Sequence, residues 1–169
     1  DIWLPLKAGS DAAMMLGWLK VILDEELYDK KFVENWTIGF DDLRKRVDEY
    51  PLERVAKLTG CDPEMIAKAA RMYATDGPAI IPWTPITDMQ RNSTSGIRLE
   101  SILRSVCGYV DVPGGERLEG FNPDIINEST IEMHHVLSDA QKAKQLGSDQ
   151  HPAFTYRGQE AFREPTKRV

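Results

Sequence analysis

The sequence predicts an α/β fold: a Rossmann-like, doubly wound parallel sheet that is rich in helices and carries an irregular C-terminal extension. Three observations support this class. Amphipathic helical patterns recur between glycine and proline breaks. The continuous apolar run 79–83 is typical of a short strand covered on both faces of a parallel sheet. Polar segments lead from such apolar runs into helices, which is the order of a strand–loop–helix unit.

The helices are predicted from where their patterns begin and end. The first places apolar residues every three or four positions from Ser10 to about Glu26. Another begins at Asp62-Pro63-Glu64, where an N-cap aspartate precedes proline at the first helical position. It extends to about residue 75. The remaining helices are expected at about 32–36, 40–49, 52–59 and 94–106.

Composition bounds the class of protein. With 169 residues, 41% of them hydrophobic and 28% charged, the chain is large enough for one domain with a sizeable core. The formal charge of −6 argues against a nucleic-acid partner, because such proteins carry basic patches. No apolar run approaches the roughly 20 residues that span a bilayer, so no membrane insertion is expected. Because the sequence opens at Asp1, without methionine and in what resembles a strand end, we expect it to be part of a larger protein.

The cysteines and histidines do not predict a metal site. Cys61 and Cys107 lie far apart and lack the spacing of zinc or iron–sulfur ligands. We expect buried, unreactive thiols, and without a disulfide pattern a cytoplasmic location is favoured. His134 and His135 are adjacent, so on a helix they point in different directions. The sequence therefore predicts no metal ligand and no catalytic residue in this chain.

The stretch 4–17, LPLKAGSDAAMMLG, predicts a strand end, a tight turn and the start of a helix. Backbone amides at a helix start, together with the helix dipole, form an anion site. Gly9 permits a tight turn or a close ligand approach, Ser10 suits the N-cap position, and Asp11 falls in the first turn. The Asp11 carboxylate also suits two adjacent N–H groups, such as those of guanine. The alternative is a capped helix after a strand, with no ligand.

A second polar loop lies between the predicted strand and the last predicted helix. It carries an aromatic face, an acid, an amide and a cation in Trp83, Asp88, Gln90, Arg91 and Asn92. In a doubly wound sheet both loops follow strand ends, so we expect them at the same edge, where ligands bind. The alternative is a solvated loop in which Trp83 fills the core.

Residues 6–43 read LKAGSDAAMMLGWLKVILDEELYDKKFVENWTIGFDDL. This run resembles the molybdopterin oxidoreductases of the dimethyl sulfoxide reductase type, which carry a Pro-Gly-Thr-Asp-Ala-Ala turn at the matching place. The resemblance continues in the same order through VAKLTGCDPEMIAKAARMYAT, PAIIPWTPITDMQRN and ILRSVCGYVDVPGG, and it covers about two thirds of the chain. The ordered series is more specific than any single motif.

The resemblance implies that Gly9, Ser10 and Asp11 hold the guanosine end of one molybdopterin guanine dinucleotide. The loop 83–92 would follow the same cofactor towards a molybdenum or tungsten ion, with Arg91 pairing with a phosphate. The candidate cofactor-binding residues are Lys7, Gly9, Ser10, Asp11, Trp83, Asp88, Gln90, Arg91 and Asn92.

The same resemblance implies a larger parent enzyme. Its metal ligand, a 4Fe–4S cluster and the second dinucleotide site would lie in the remaining domains, which are the expected partners. This chain alone would therefore not be active. The parent is expected to be prokaryotic, and either a cytoplasmic or a periplasmic location fits the family.

The chain departs from the family pattern at several positions. Ala8 stands in place of proline, and Ser10 in place of threonine. The loop 84–88 is bulkier than usual, and the string WTPITD at 83–88 resembles the tungsten-containing acetylene hydratase branch, which implies addition of water without net electron transfer. Two accounts stay open: a cofactor-binding domain of such an enzyme, or a stand-alone nucleotide-binding or interaction module without catalysis.

The predicted domain organisation has two parts. Residues 1–107 form the α/β cofactor-binding domain, and residues 108–169 form a partly helical exit segment towards a neighbouring domain. Within the second part, 129–146 is expected to form one helix. The polar, proline-containing tail from 150 onwards is expected to be irregular.

Overall fold

The computed structural model describes residues 2–82, 89, 91–117, 133 and 136–144, and the chain divides into two compact units, Asp1–Glu119 and Gly120–Val169. The described helices of the first unit are α1 (Asp11–Asp24), α2 (Lys30–Trp36), α3 (Phe40–Asp48), α4 (Leu52–Thr59), α5 (Pro63–Thr75) and α6 (Ser93–Val106). The described part of the second unit contains the short helix α7 (Asp139–Lys142). The six helices predicted before residue 107 are confirmed to within about two residues at each end, which is the usual uncertainty of helix bounds.

Local capping explains why several helices begin and end where they do. The Asp62 side chain accepts hydrogen bonds from the amides of Glu64 and Met65 at the start of α5. The Asp29 carboxylate accepts the Phe32 amide at the start of α2 in the same way. At the C-terminal end of α4, Gly60 has a φ of +81°. This left-handed conformation favours glycine and ends the helix.

The core of the first unit is built around α1, which packs against α3, α4, α5 and α6. Its inward face is fully buried at Leu19, Ile22 and Leu23. Facing side chains include Val55 of α4 and Leu103 of α6, neither of which is exposed. Each such side chain contributes about 1.5–3 kcal/mol when it leaves water. The helical periodicity of the sequence places Leu19, Ile22 and Leu23 on one face of α1, and all three are buried.

The first unit continues beyond residue 107 because the segment after α6 packs back onto it. The Tyr109 side chain is buried, and its hydroxyl donates one hydrogen bond that is shared between the carbonyl oxygens of Tyr73 and Ala74, at 2.8 and 2.9 Å. An isolated bridge joins Val110 to Glu116 and closes the following turn. The compact unit accordingly extends to Glu119.

Among the described residues no strand is present, and Ala79–Pro82 belong to no helix or strand. Trp83, the last residue of the predicted strand, lies outside the described residues. A strand needs a partner backbone to form its hydrogen bonds. The doubly wound sheet therefore stays a prediction.

In the second unit the prediction of one continuous helix over 129–146 is wrong. Ser138 has an extended backbone, with φ −68° and ψ 158°, and forms a capping box with Gln141 at the start of α7. A residue in this conformation interrupts the helical hydrogen bonds, so α7 begins only at Asp139. His134, His135 and the tail from 150 lie outside the described residues.

Candidate functional site

A cavity of about 790 Å³ opens beside the turn that precedes α1, and we call it the turn cavity. One wall is the turn itself, including Lys7, Gly9 and Ser10, together with the first turns of α1. A second wall is the first half of α6, beginning at Asn92. A third wall comes from α3 and the residues around it, including Arg46. Two segments that the sequence predicted to meet therefore line one cavity.

The turn is held against the end of α4. The Lys7 amide donates to the carbonyl oxygen of Thr59 at 2.8 Å, and Thr59 is completely buried. The Lys7 ammonium donates to the carbonyl oxygen of Lys57 at 3.4 Å, so part of its charge is engaged by α4. Gly9 has a φ of +79°, which confirms the predicted tight turn at a position that favours glycine.

Ser10 occupies the N-cap position of α1, but its side chain does not cap the helix. The hydroxyl instead donates to the carbonyl oxygen of Lys7 at 2.5 Å. The predicted N-cap position of Ser10 is therefore confirmed, although its hydroxyl bonds to the preceding turn and not to the helix amides. The first amides of α1 have no side-chain acceptor among the described residues.

The second helix at the cavity begins in the same way. Asn92 occupies the N-cap position of α6 with φ −107° and ψ 24°, and its side chain forms no capping hydrogen bond. Both α1 and α6 are 14 residues long. Each helix start carries about half a positive elementary charge and unpaired amide donors. Two uncapped helix starts at one cavity make it suited to an anion.

Two guanidinium groups add to this positive potential. Arg98 lines the cavity from α6 and forms no ion pair with another described residue. Arg46 pairs with Glu49 at 2.7 Å and lies 5.2 Å from the centre of the Tyr50 ring. Tyr50 also lines the cavity and is half-buried. None of these three residues was predicted from the sequence as part of the site.

The signal for Arg98 was present in the sequence. Asn92, Ser95 and Arg98 follow one another at intervals of three, so they lie along one side of a helix. Extending the predicted loop into the helix by this spacing would have added Ser95 and Arg98. Arg46 and Tyr50 had no such signal, because the packing of α3 beside α1 brings them to the cavity.

The other predicted site residues are distributed differently. Asp11 does not line the turn cavity; it lines a separate apolar groove. Arg91 is exposed and lines neither cavity. Trp83, Asp88 and Gln90 lie outside the described residues. The structure therefore brings together Lys7, Gly9, Ser10 and Asn92.

The described part of the chain contains no group of three or more histidine, cysteine or acidic side chains placed to hold a metal ion. Cys61 and Cys107 are free and buried, as predicted. Burial raises the pKa of the Cys107 thiol to about 12, which keeps it protonated and unsuited to bind a metal as a thiolate. None of the described helices is long and apolar enough to cross a membrane.

The chain is similar to several known enzymes, although no family model matches it. It is 52% identical to acetylene hydratase of Syntrophotalea acetylenica over all 169 residues, and it spans 23% of the length of that relative. The solved structure of acetylene hydratase from Pelobacter acetylenicus matches the whole chain with a TM-score of 0.74 and 51% identity, again over 23% of that protein. The thiosulfate reductase molybdopterin-containing subunit of Salmonella typhimurium is 35% identical over 81 residues, which are 48% of this chain and 11% of that subunit.

These relatives define a class. The chain belongs to the molybdopterin oxidoreductases of the dimethyl sulfoxide reductase superfamily, as its sequence predicted. Within that superfamily, its similarity to acetylene hydratase extends from the first residue to the last. The chain covers less than a quarter of these acetylene hydratases.

Proposed function

We propose that this chain is a cofactor-binding part of a longer molybdenum or tungsten enzyme. Its turn cavity would hold the guanosine diphosphate end of a molybdopterin guanine dinucleotide. Family membership supports the molybdopterin cofactor. The observation that carries the assignment to this cavity is the meeting of two helix starts that lack side-chain caps beside Arg98, whose guanidinium group forms no ion pair with another described residue.

The residues at the cavity fit a diphosphate in charge and in donor type. Amides at the starts of α1 and α6 would donate to the phosphate oxygens, since helix starts favour anions. Arg98 would supply a planar, bidentate donor. Gly9 leaves the turn open, because no Cβ narrows the approach of a ligand to the backbone. Ser95 would add a hydroxyl from α6.

The guanine would then extend past the start of α1 towards Asp11, whose carboxylate suits the two adjacent N–H groups of that base. Asp11 follows Ser10 directly in the sequence, and Ser10 lines the turn cavity. In the same proposal Trp83, Asp88, Gln90 and Arg91 continue along the cofactor towards the metal. Molybdopterin itself would supply the metal and its sulfur ligands, and this chain would position it.

Nucleotide titration tests this proposal. Calorimetric titration of the chain with GDP is expected to give tighter binding than titration with ADP. Arg98→Ala should weaken binding of both by tenfold or more, since a charge-assisted hydrogen bond contributes about 1.5–3 kcal/mol. Asp11→Asn should remove only the preference for GDP over ADP. Arg71→Ala is the matched control, because this exposed arginine pairs with Glu25 away from the cavity.

The outcomes separate the two accounts of the chain. GDP and ADP binding that does not depend on Arg98 would contradict the diphosphate assignment. Equal affinity for both nucleotides, with dependence on Arg98, would retain the cavity as an anion site and remove the guanine role of Asp11. It would then favour a general nucleotide-binding module.

For the longer protein we propose hydration chemistry in the manner of acetylene hydratase. The support is identity of 52% over the full chain, compared with 35% over about half of it for the thiosulfate reductase subunit. The full-length protein, produced with tungstate, should consume acetylene without an added electron acceptor. This assignment would be contradicted if acetylene turnover required an electron acceptor, or if the protein did not consume acetylene. The free, buried thiols support a location in the reducing cytoplasm.

A further inference from the structure

The charged side chains that line the turn cavity are all positive among the described residues: they are Lys7, Arg46 and Arg98. They differ in what already contacts their charged groups. The Lys7 ammonium donates to the carbonyl oxygen of Lys57 in α4, and Arg98 forms no ion pair with another described residue. The guanidinium group of Arg46, in contrast, is paired with a carboxylate. Its charge becomes available to an anion only when that pair opens.

The partner of Arg46 does not belong to the cavity wall. Arg46 lies in the last turn of α3 and pairs at 2.7 Å with Glu49, the C-cap residue of the same helix. Another nitrogen of the guanidinium group donates to the Tyr50 hydroxyl at 3.4 Å. Arg46 and Tyr50 line the turn cavity, whereas Glu49 does not. The ion pair therefore joins a cavity residue to a carboxylate that does not line the cavity.

This ion pair can be exchanged at little cost. The side chains of Arg46 and Glu49 are each 54% exposed, so water and salt screen their attraction. An exposed pair of this kind changes an equilibrium constant by about fivefold at most. A phosphate group also accepts two parallel hydrogen bonds from a guanidinium group. A phosphate in the cavity can therefore replace Glu49 as the partner of Arg46.

A diphosphate needs such a second cation, because each of its phosphate groups carries negative charge. We propose that Arg46 is a second phosphate-binding residue of the turn cavity, which exchanges Glu49 for a phosphate oxygen when the ligand binds. Arg98 would hold one phosphate group and Arg46 the other, so the cavity would prefer a diphosphate to a single phosphate. This inference rests on the proposed function in one respect, that the turn cavity binds a nucleotide diphosphate.

Comparison of GDP with GMP tests the role of Arg46. The full-length protein, produced in cells that make no molybdopterin, is titrated calorimetrically and should bind GDP more tightly than GMP. Arg46→Ala should lower GDP affinity by about tenfold, the loss of one charge-assisted hydrogen bond, and GMP affinity by less than about threefold. The preference for GDP should therefore shrink. A merely structural role for Arg46 would lower both affinities by the same factor and leave the preference unchanged.

A double-mutant cycle tests the exchange with Glu49. Glu49→Gln keeps the shape of the side chain and removes its charge, so Arg46 is released and GDP affinity should rise by up to about fivefold. When Arg46 is already alanine, the same substitution should raise GDP affinity by less than about twofold. An equal gain in both backgrounds would overturn the proposal, because Glu49 would then act only by repelling the anion.

Asp42→Asn is the matched control for Glu49→Gln. Asp42 pairs with Lys45 at 3.0 Å, with the same three-residue spacing on the same helix, and neither residue lines the turn cavity. The substitution removes the same charge and releases a cation that is not at the site. GDP affinity should therefore change by less than about twofold. A gain as large as that of Glu49→Gln would also overturn the exchange.

The results separate this inference from the proposed function on which it rests. GDP binding that weakens in Arg98→Ala but not in Arg46→Ala would retain the diphosphate site and overturn the role of Arg46. A preference for GDP over GMP that survives Arg46→Ala unchanged would do the same. GDP binding that does not depend on Arg98, or no GDP binding, would contradict the proposed function, and the inference would fail with it.

Discussion

The Ser10 hydroxyl donates a hydrogen bond to the Lys7 carbonyl oxygen at 2.5 Å, and it accepts none from the first amides of α1. A serine at an N-cap position ordinarily satisfies one of these amides and stabilises the helix by about 1 kcal/mol. Here the tight turn at Gly9 directs the hydroxyl away from the helix. The amides remain available to a ligand in the turn cavity.

Ser10→Asp is expected to separate stability from binding. A carboxylate at this position can accept the free amides and interact with the helix dipole, so the free energy of unfolding should rise by up to about 1 kcal/mol. The same negative charge should lower GDP affinity by tenfold or more, because it repels the diphosphate. Urea unfolding and calorimetric titration give the two values.

Ser10→Ala is the matched control for that substitution. It removes the bond to Lys7 without adding charge, so stability should fall by about 0.5–1.5 kcal/mol, and GDP affinity should change by less than tenfold. GDP binding that survives Ser10→Asp unchanged would contradict the use of the α1 start by the ligand.

Two helical glycines differ in what surrounds them. A Cβ at Gly17 would lie 2.9 and 3.1 Å from the two methyl groups of Val55, where α1 crosses α4, while a Cβ at Gly96 would meet nothing within 4 Å. Gly17→Ala should therefore lower the free energy of unfolding by about 1–3 kcal/mol through overpacking. Gly96→Ala should raise it by about 0.5–1 kcal/mol, because alanine favours the helix. Thermal unfolding of both variants, side by side, measures the difference, and equal effects would contradict the close α1–α4 contact.

The helix bounds were predictable because their determinants are local. Asp62 followed by Pro63 begins α5, and Gly60 ends α4, within one or two residues of the predicted positions. Apolar spacing likewise identified the buried face of α1, which Leu19 and Ile22 represent. Such signals depend on neighbours within one helical turn, so a single sequence contains them.

The candidate site was predictable only in part, because its remaining residues depend on tertiary packing. Gly9 and Asn92 were identified from loop chemistry, and the packing of α1 on α6 brings them to one cavity. Arg46 belongs to a charged surface helix, and nothing in its local sequence distinguishes it from its neighbour Lys45. The sheet stays a prediction for a related reason, because a strand at 79–83 would have to pair with backbone that is distant in sequence.

Two tyrosines in contact are expected to respond in opposite ways to removal of the hydroxyl. The Tyr109 hydroxyl donates to the carbonyl oxygens of Tyr73 and Ala74, so Tyr109→Phe should lower the free energy of unfolding of this chain by about 1–3 kcal/mol. The Tyr73 hydroxyl has no partner among the described residues, so Tyr73→Phe in the same chain should be neutral or stabilising. Urea unfolding at neutral pH measures both. A large loss for Tyr73→Phe in this chain would show an acceptor that the described residues do not supply.

Alkaline pH should destabilise the first unit through Cys107. Burial raises the pKa of this thiol from its ordinary value of 9.0 to about 12 in the folded chain. Between these values the unfolded chain loses the proton and the folded chain keeps it, so unfolding releases a proton and becomes more favourable as the pH rises. The stabilising contribution is complete below pH 9 and is lost as the pH rises towards the folded pKa. The slope is about 1.4 kcal/mol per pH unit for one proton.

Cys107→Ala should flatten this decline. Urea unfolding between pH 7.5 and about 10.5 measures it, because the thiol of the unfolded chain changes from protonated to ionised within this range. Part of the decline should remain, because burial also raises the pKa of Tyr73 and Tyr109. Val106→Ala is the matched control, since it removes buried volume at the adjacent position without removing a titratable group. It should lower stability equally at every pH. An identical pH slope in Cys107→Ala and the unaltered chain would mean that the Cys107 thiol ionises as readily in the folded chain as in the unfolded one.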